Sequence, residues 1–389
     1  MLEHSPPLPL IIDYVDHSDS IATEDEEGIM LALKHHDRVR RICLDIPIPN
    51  LQQIIMALED ELPILEFLFI APTTKLNASL VLPKSLRAPH LRHLKLSNFA
   101  FPIGSPLLTT SMSLNTLSLD WMSPPVYFHP NDLVHRLSQM PQLEILRIVF
   151  DSPVPNRDVR RELLRRPRTT QVTLPNLRSF GFKGASAYLE ALLPCMTAPL
   201  LATLRVLFFN QLTFHLPRLL DFLGTAANLR FSSATLIFQE NKISIWVYPN
   251  KEARMYALYM DVGCRHLDWQ VASAAQIFRV LRSALSAVED LTLEYWKYGV
   301  SSGWRNEAGR TQWRDLLRSF TNVKTLQVDF KLVDQLSRSL RLEDGESPVE
   351  LLPELKELSY HTLPKFDDAF TAFIDARRIA GRPVTVGRR

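Results

Sequence analysis

His90 and His93 stand three residues apart, a spacing that suits a metal ion when both imidazoles face the same way. In an extended segment they point to opposite sides, and no Cys or carboxylate ligand accompanies them, so they read as strand residues. Gly181-Phe-Lys-Gly184 has the outline of a backbone clamp, yet it falls inside and just after a strand-like phrase, where packing and turn geometry account for both glycines. His35 and His36 close a helical stretch, where the helix dipole favours them. Arg157, Arg160, Arg161, Arg165, Arg166 and Arg168 crowd one segment. Nucleic-acid contact needs interleaved aromatics, which are absent, and Asp158 and Glu162 provide internal partners, so a solvated helix is expected. No GxxxxGK[ST], HExxH or GxSxG string occurs, and 12 glycines leave little material for phosphate cradles. No enzymatic activity, cofactor or metal is expected.

The bulk chemistry agrees. Lys and Arg total 44 against 42 Asp and Glu, so the formal charge of +2 gives no electrostatic footprint for nucleic acid or an anionic membrane. Hydrophobic residues at 46% and charged residues at 22% are those of a chain that folds. Cys43, Cys195 and Cys264 lie far apart, which argues against a disulfide framework and for a reducing compartment. No apolar run approaches the ~20 residues needed to cross a bilayer. A cytoplasmic or nuclear location is expected.

What positions the side chains is a repeat. The phrase apolar-x-x-apolar-x-apolar recurs as Val39-Ile42-Leu44, Leu65-Leu68-Ile70, Leu91-Leu94-Leu96, Leu114-Leu117-Leu119 and Leu143-Leu146-Ile148. It continues as Leu177-Phe180-Phe182, Leu201-Leu204-Val206, Val288-Leu291-Leu293, Val323-Leu326-Val328 and Leu355-Leu358-Tyr360. The first seven copies start 26, 26, 23, 29, 34 and 24 residues apart, bracketing the leucine-rich-repeat period of roughly 20 to 29. Pro63, Pro89, Pro141, Pro175, Pro199 and Pro353 each stand two residues before a copy and are expected to end a helix and launch a strand. Helices are predicted over 51–59, 131–139, 187–193, 270–284 and 313–320, with Asn131 or Asp132 capping one of them.

One strand and one helix cannot bury their apolar sides alone, but stacked units can. The expected fold is therefore α/β: a right-handed, irregular leucine-rich-repeat solenoid of the ribonuclease-inhibitor kind, with parallel strands on the concave side and helices on the convex side. It forms a single array over 1–389 of about 11 to 13 repeats. Residues 234–262 break the pattern and predict a hairpin-containing repeat turning at Glu240-Asn241. Residues 365–389 predict a closing cap.

Alternation turns the positions between the leucines toward the open surface. Those positions run from Phe67 and Phe69 through His93, Lys95, Arg147, Lys183 and Arg205 to Asp290, Glu294, Asp329 and Glu357, basic in the middle and acidic at the far end, with Ile145, Val149 and Leu207 among them. Trp296, and Trp304 in a Gly- and Ser-containing loop, are candidate aromatic anchors. An unknown protein is the expected partner.

Pro-x-Leu-x-x-Leu strands alternating with helices at irregular spacing resemble the leucine-rich-repeat region of F-box proteins, and more narrowly a group of fungal F-box-like proteins. The matching segments include Lys34-His-His-Asp-Arg-Val-Arg-Arg-Ile42, Ala88-Pro-His-Leu-Arg-His-Leu94, Gly104-Ser-Pro-Leu-Leu-Thr109, Tyr127-Phe-His-Pro-Asn-Asp132 and Ser138-Gln-Met-Pro-Gln-Leu-Glu144. Val172-Thr-Leu-Pro-Asn-Leu-Arg178, Leu189-Glu-Ala-Leu-Leu-Pro194 and Asn228-Leu-Arg-Phe-Ser-Ser-Ala234 extend the match along nearly the whole chain. The resemblance implies the substrate-recognition part of a Skp1-cullin-F-box ubiquitin ligase. A stand-alone binder or inhibitor of an intracellular protein is the alternative.

Two departures from the family matter. Pro6 to Asp13 looks like the start of the array, so no F-box is found and Skp1 or cullin is expected only where an F-box is supplied. A shortened gene product would then expose Leu8, Leu10, Ile11, Ile12 and Tyr14 as an apolar edge. The usual Asn at the ninth repeat position is replaced by Phe99, Met122, Asp151, Ala185 and Trp296, so the backbone groups there must find other partners.

Overall fold

The proline ahead of a copy sits in a hydrogen-bonded turn. In the computed structural model, which describes residues 8–16, 21–58, 61–74, 80–100, 102–123, 127–153, 171–211, 213–296, 308–343, 346–360 and 369–388, Leu65 N donates to Leu62 O at 3.2 Å. The same bond recurs from Leu91 to Ala88, Leu143 to Met140, Leu177 to Leu174, Leu201 to Ala198 and Leu355 to Leu352. Each proline takes the second place of a four-residue β-turn, where its fixed φ is already correct and its missing N–H is not needed. The turn delivers the first leucine of the copy into the core, and the strand starts two residues later.

The described residues fall into two compact units, Met1–Leu201 and Ala202–Arg389. In the first, the elements are β1 (Leu10–Val15), α1 (Thr23–Leu33), β2 (Val39–Ile46), α2 (Ile48–Met56), β3 (Phe67–Pro72), β4 (His93–Ser97) and α3 (Pro106–Thr110). They continue with β5 (Thr116–Met122), α4 (Pro130–Leu137), β6 (Ile145–Phe150), β7 (Val172–Thr173), β8 (Ser179–Gly184), α5 (Ser186–Leu192) and β9 (Met196–Thr197). Strands β1-β2-β3-β4-β5-β6-β8 lie side by side in that order, every described pair parallel. Short strands β7 and β9 pair separately.

Register shows why the leucines recur. Ile42, Leu68, Leu94, Leu117, Leu146 and Phe180 face one another across successive strands, and so do Leu44, Ile70, Leu96, Leu119, Ile148 and Phe182. All are at most 2% exposed. The helices begin one to three residues earlier than their apolar spacing predicts and also end earlier. In α4, Pro130 fills the first helical position and buries its face with Leu133, Val134 and Leu137. Neither Asn131 nor Asp132 is its cap: His129 holds that place without a side-chain bond, and Asp132 lies within the first turn, where the dipole favours a carboxylate.

Backbone bonds tie successive copies together at both ends of the strands. Glu66 O accepts from both Arg92 N and His93 N, Arg92 O from Asn115 N and Thr116 N, Asn115 O from Glu144 N and Ile145 N, and Glu144 O from Arg178 N and Ser179 N. At the strand exits, Asn98 N donates to Asp120 O and Asp151 N to Met122 O. At the outer strand, Leu8, Ile11 and Val15 are more than half exposed, whereas Ile12 is 5% exposed and belongs to the core. The expected apolar edge is thus one face of β1 rather than its whole length.

Gly184 closes β8 against an aromatic cluster of Tyr127, Phe150, Phe182 and Tyr188. A Cβ there would sit 2.5 Å from Phe182 Cζ and 3.0 Å from Phe150 Cδ2. The ring is held on several sides, so Gly184→Ala is expected to cost about 1–3 kcal/mol by overpacking, read as a lower urea midpoint. An unchanged midpoint would show that the cluster yields freely.

In the second unit the elements are β10 (Thr203–Phe208), α6 (Pro217–Thr225), β11 (Ser233–Gln239), β12 (Lys242–Tyr248), β13 (Leu258–Gly263), α7 (Leu267–Val280) and β14 (Asp290–Trp296). After them come α8 (Arg310–Leu317), β15 (Thr325–Val328), α9 (Phe330–Leu340), β16 (Glu357–Tyr360), α10 (Thr371–Ile379) and β17 (Thr385–Arg388). Ala234, Leu291, Leu326, Leu358 and Val386 share a register line. β11 and β12 pair antiparallel as a hairpin with Glu240-Asn241 between them.

Its placement is not sequential. The spatial order is β10-β13-β12-β11-β14: β13 returns to lie parallel to β10, β11 lies parallel to β14, and β12 runs antiparallel to both its neighbours. A polar group pins the meander. Lys242 Nζ lies 2.8 Å from Asp261 Oδ2 and Ser244 Oγ donates to Asp261 Oδ1 at 2.6 Å, with Asp261 only 6% exposed. Gln270, fully buried in α7, donates to the carbonyls of Gln239 and Cys264. No helix among the described residues is long and apolar enough to cross a membrane.

Candidate protein-binding surface

In the first unit, the positions alternating with the buried leucines form two register lines. One runs Arg41, Phe67, His93, Thr116, Ile145, Ser179; the other Cys43, Phe69, Lys95, Ser118, Arg147, Gly181. Phe67 is their centre: the Arg41 guanidinium lies 3.9 Å from its ring centroid, Lys95 Nζ 5.9 Å, and the His93 ring 5.8 Å. His93 Nδ1 is 3.1 Å from Thr116 Oγ1. Desolvation, followed by the charges of Lys95 and Arg92, holds the imidazole below its ordinary pKa, so near neutral pH it is an uncharged member of a cationic row. His90 lies outside the strand, in the preceding turn, and shares no face with it.

The row ends in a strained residue. Register slips between Leu119 and Met122, and Trp121 adopts φ 57°, a left-handed conformation that costs a non-glycine residue about 1–3 kcal/mol. Lys183 Nζ stands 4.3 Å from the Trp121 ring centroid. Beside it, Arg147 Nε donates to Asp120 Oδ1 at 2.6 Å, and Ser118 Oγ donates to Asp120 Oδ2 at 3.0 Å. Val149, expected among the open positions, is 4% exposed, because it lies opposite the bulged Asp120-Trp121 pair; Ile145 is 43% exposed.

The open face of the second unit is aromatic. Trp246 packs edge-on against Tyr256 and Tyr259, at centroid distances of 5.7 and 5.1 Å, and stacks toward Tyr248 at 6.3 Å. The Arg205 guanidinium stands 5.0 Å from the Tyr259 ring centroid. The acidic residues expected here are largely engaged within the fold. Asp290 pairs with Lys251 at 3.2 Å, Glu294 accepts from Trp296 Nε1 at 2.9 Å, Asp329 caps α9 through Lys331 N, and Glu357 accepts from Ser359 Oγ. Trp296 is 43% exposed. Trp304 and the arginine-rich stretch from Arg157 to Arg168 lie outside the described residues.

Sequence reasoning missed Arg41, Trp121, Trp246, Tyr256 and Tyr259. Alternation along β12 places Lys242, Ser244, Trp246 and Tyr248 on one face, a readable signal. It was hidden because those residues stand outside the repeat phrase. The arrangement offers cations on aromatic platforms, worth about 0.5–1 kcal/mol each at exposed sites, which suits recognition rather than bond making.

The thiols differ in access. Burial pushes the Cys264 thiol up to about 12 and raises Cys195, while Cys43 is raised by desolvation, with Asp13 adding to it. Only the thiolate is nucleophilic. Iodoacetamide at neutral pH is expected to spare Cys264 in the folded chain and to reach Cys43, on the open face, first. Peptide mass mapping that finds Cys264 alkylated as early as Cys43 would contradict this order.

No protein-family model matches the chain, and no curated protein matches it. Among solved structures, the leucine-rich repeat-containing protein LegL7 from Legionella pneumophila is similar. The identity is 13%, covering 97% of this chain and 99% of that one, with a TM-score of 0.34. The strand register, rather than this likeness, carries the fold described above.

Proposed function

We propose that the chain is a non-enzymatic protein-recognition module. In this reading it is an irregular, right-handed leucine-rich-repeat solenoid of the ribonuclease-inhibitor kind, its strands lining a concave binding side and its helices the convex side. The supporting observation is the register: six consecutive strands of the first unit bury the same two aliphatic or aromatic positions and leave the alternating positions to Arg41, Phe67, Lys95, Arg147 and Lys183. Charged and aromatic groups held on rigid strands guide partner choice and association rate. By its resemblance to F-box-like proteins, the finer proposal is the substrate-recognition part of a Skp1-cullin-F-box ligase, acting by holding a substrate near machinery supplied by other subunits.

Affinity purification with the full chain as bait tests both levels. Recovery of a protein that is lost with the charge-reversal pair Lys95→Glu and Lys183→Glu supports recognition through this face. Skp1 or cullin in the eluate supports the ligase role; one stoichiometric partner without them supports a stand-alone binder. Turnover of a substrate that depends on one named side chain would overturn the non-enzymatic reading.

A further inference from the structure

The segment that returns from β12 to β13 brings two cations over the open face of the second unit, where the sequence alone suggests acid. Lys251 and Arg254 line a cleft of about 310 Å³ together with Tyr248, Ser233, Thr235, Asp290, Thr292, Thr325 and Gln327. Lys251 neutralises Asp290. Arg254 has no ion-pair partner among the described residues, and the hydroxyls of Ser233, Thr235, Thr292 and Thr325 have no hydrogen-bond partner there. Four hydroxyl donors and one uncommitted guanidinium therefore converge on one polar recess. Tyr248 closes it on the side of Trp246 and Tyr256, joining the recess to the aromatic wall.

We propose that this cleft binds a carboxylate of a peptide segment of the partner, while an adjacent apolar side chain of that segment packs on Trp246 and Tyr256. This deepens the protein-recognition reading and rests on it. The guanidinium offers a planar fork that matches a carboxylate. Two cations against one carboxylate leave the cleft positive, complementary to a single negative charge. The Tyr248 phenol, raised first by desolvation and then by the Glu294 carboxylate, stays protonated at neutral pH and adds a donor. Glu294 itself is held by Trp296 Nε1 at 2.9 Å. Tyr, Trp and Arg are the residues that dominate interface energetics.

A carboxylate can come from an acidic side chain or from a chain terminus, and two random-peptide display libraries separate these sources. One carries the peptide with a free carboxyl end; the other has that end fused to the coat protein. Both are selected on the full chain and rescreened on Arg254→Glu and Thr235→Val, two substitutions at accessible positions whose folding is verified by thermal melting.

The expected result is enrichment of Asp or Glu next to an apolar residue in the fused library, or of a free terminus in the other. Affinity should fall about tenfold with Arg254→Glu, less with Thr235→Val, and not at all with Lys95→Glu in the first unit. Peptides without a carboxylate preference, or ones that bind Arg254→Glu as tightly, overturn the cleft proposal and leave protein recognition standing. Failure of both libraries also overturns it, and the purification experiment alone then judges the broader reading. Selected binders displaced only by inorganic phosphate and not by acetate would reassign the recess to a phosphate group and likewise sink the carboxylate.

Discussion

Leu146→Asp is expected to abolish the cooperative melting of residues 1–201. Leu146 is fully buried in β6 and stands between Leu117 and Phe180 in the register line that crosses the unit. Losing the leucine removes roughly 1.5–3 kcal/mol of burial. The carboxylate must then be protonated or drawn to the surface, because an unpaired charge there is not tolerated. A combined loss above ~4–5 kcal/mol is of the order of a domain's whole stability. Near-ultraviolet circular dichroism should lose the part of its thermal transition that this unit contributes. A variant that melted like the parent would show that the aligned aliphatic positions are not the core.

The second large effect concerns a charged residue. Arg377 in α10 is fully buried, yet its donors reach carbonyls rather than a carboxylate. Nη1 donates to Leu352 O at 3.1 Å, Leu351 O at 3.3 Å and Pro348 O at 3.4 Å, and Nη2 to Pro353 O and Leu355 O, both at 3.2 Å. These carbonyls surround the turn into β16, where Leu352 takes a left-handed φ of 51°. Arg377→Met keeps much of the volume and strips the donors. Each stranded carbonyl costs about 1–3 kcal/mol unless water reaches it, partly offset by relief of the buried guanidinium's desolvation. A net loss of about 3 kcal/mol or more is expected, with faster amide exchange across Leu351 to Tyr360. Arg377→Lys should recover only part of it, since three donors on one nitrogen cannot span five acceptors. Equal urea midpoints for Arg377→Met and the parent would rule out this role.

The leucine spacing and the prolines made the strands legible, because burial on a pleat needs period two and a turn needs a fixed φ. Strand order at β11 to β13 was not legible. Alternation is the same in parallel and antiparallel neighbours, and nothing local to Leu258 names Leu204 as its partner. Arg377 was equally hidden, since an arginine on an amphipathic helix reads as surface and its acceptors lie 22 to 29 residues away. Trp121 carries no local sign of a left-handed backbone, unlike Asn98, a residue type that tolerates its φ of 60°. Asp329 was readable another way: placed just before an apolar helical stretch, it is a capping residue as much as a face residue.

The reversed meander also bears on how the chain assembles. From β2 to β6 each strand pairs with the one made just before it, so these coils can add in the order in which they leave the ribosome. β10 must wait until residues as far as Gly263 exist before β13 can join it, and β11 must wait for β14. Those long-separation pairings raise contact order and slow the search. Refolding of the second unit should therefore be the slower, all-or-none step, with the outer edges of β11 and β13 unpaired until β14 and β10 meet them.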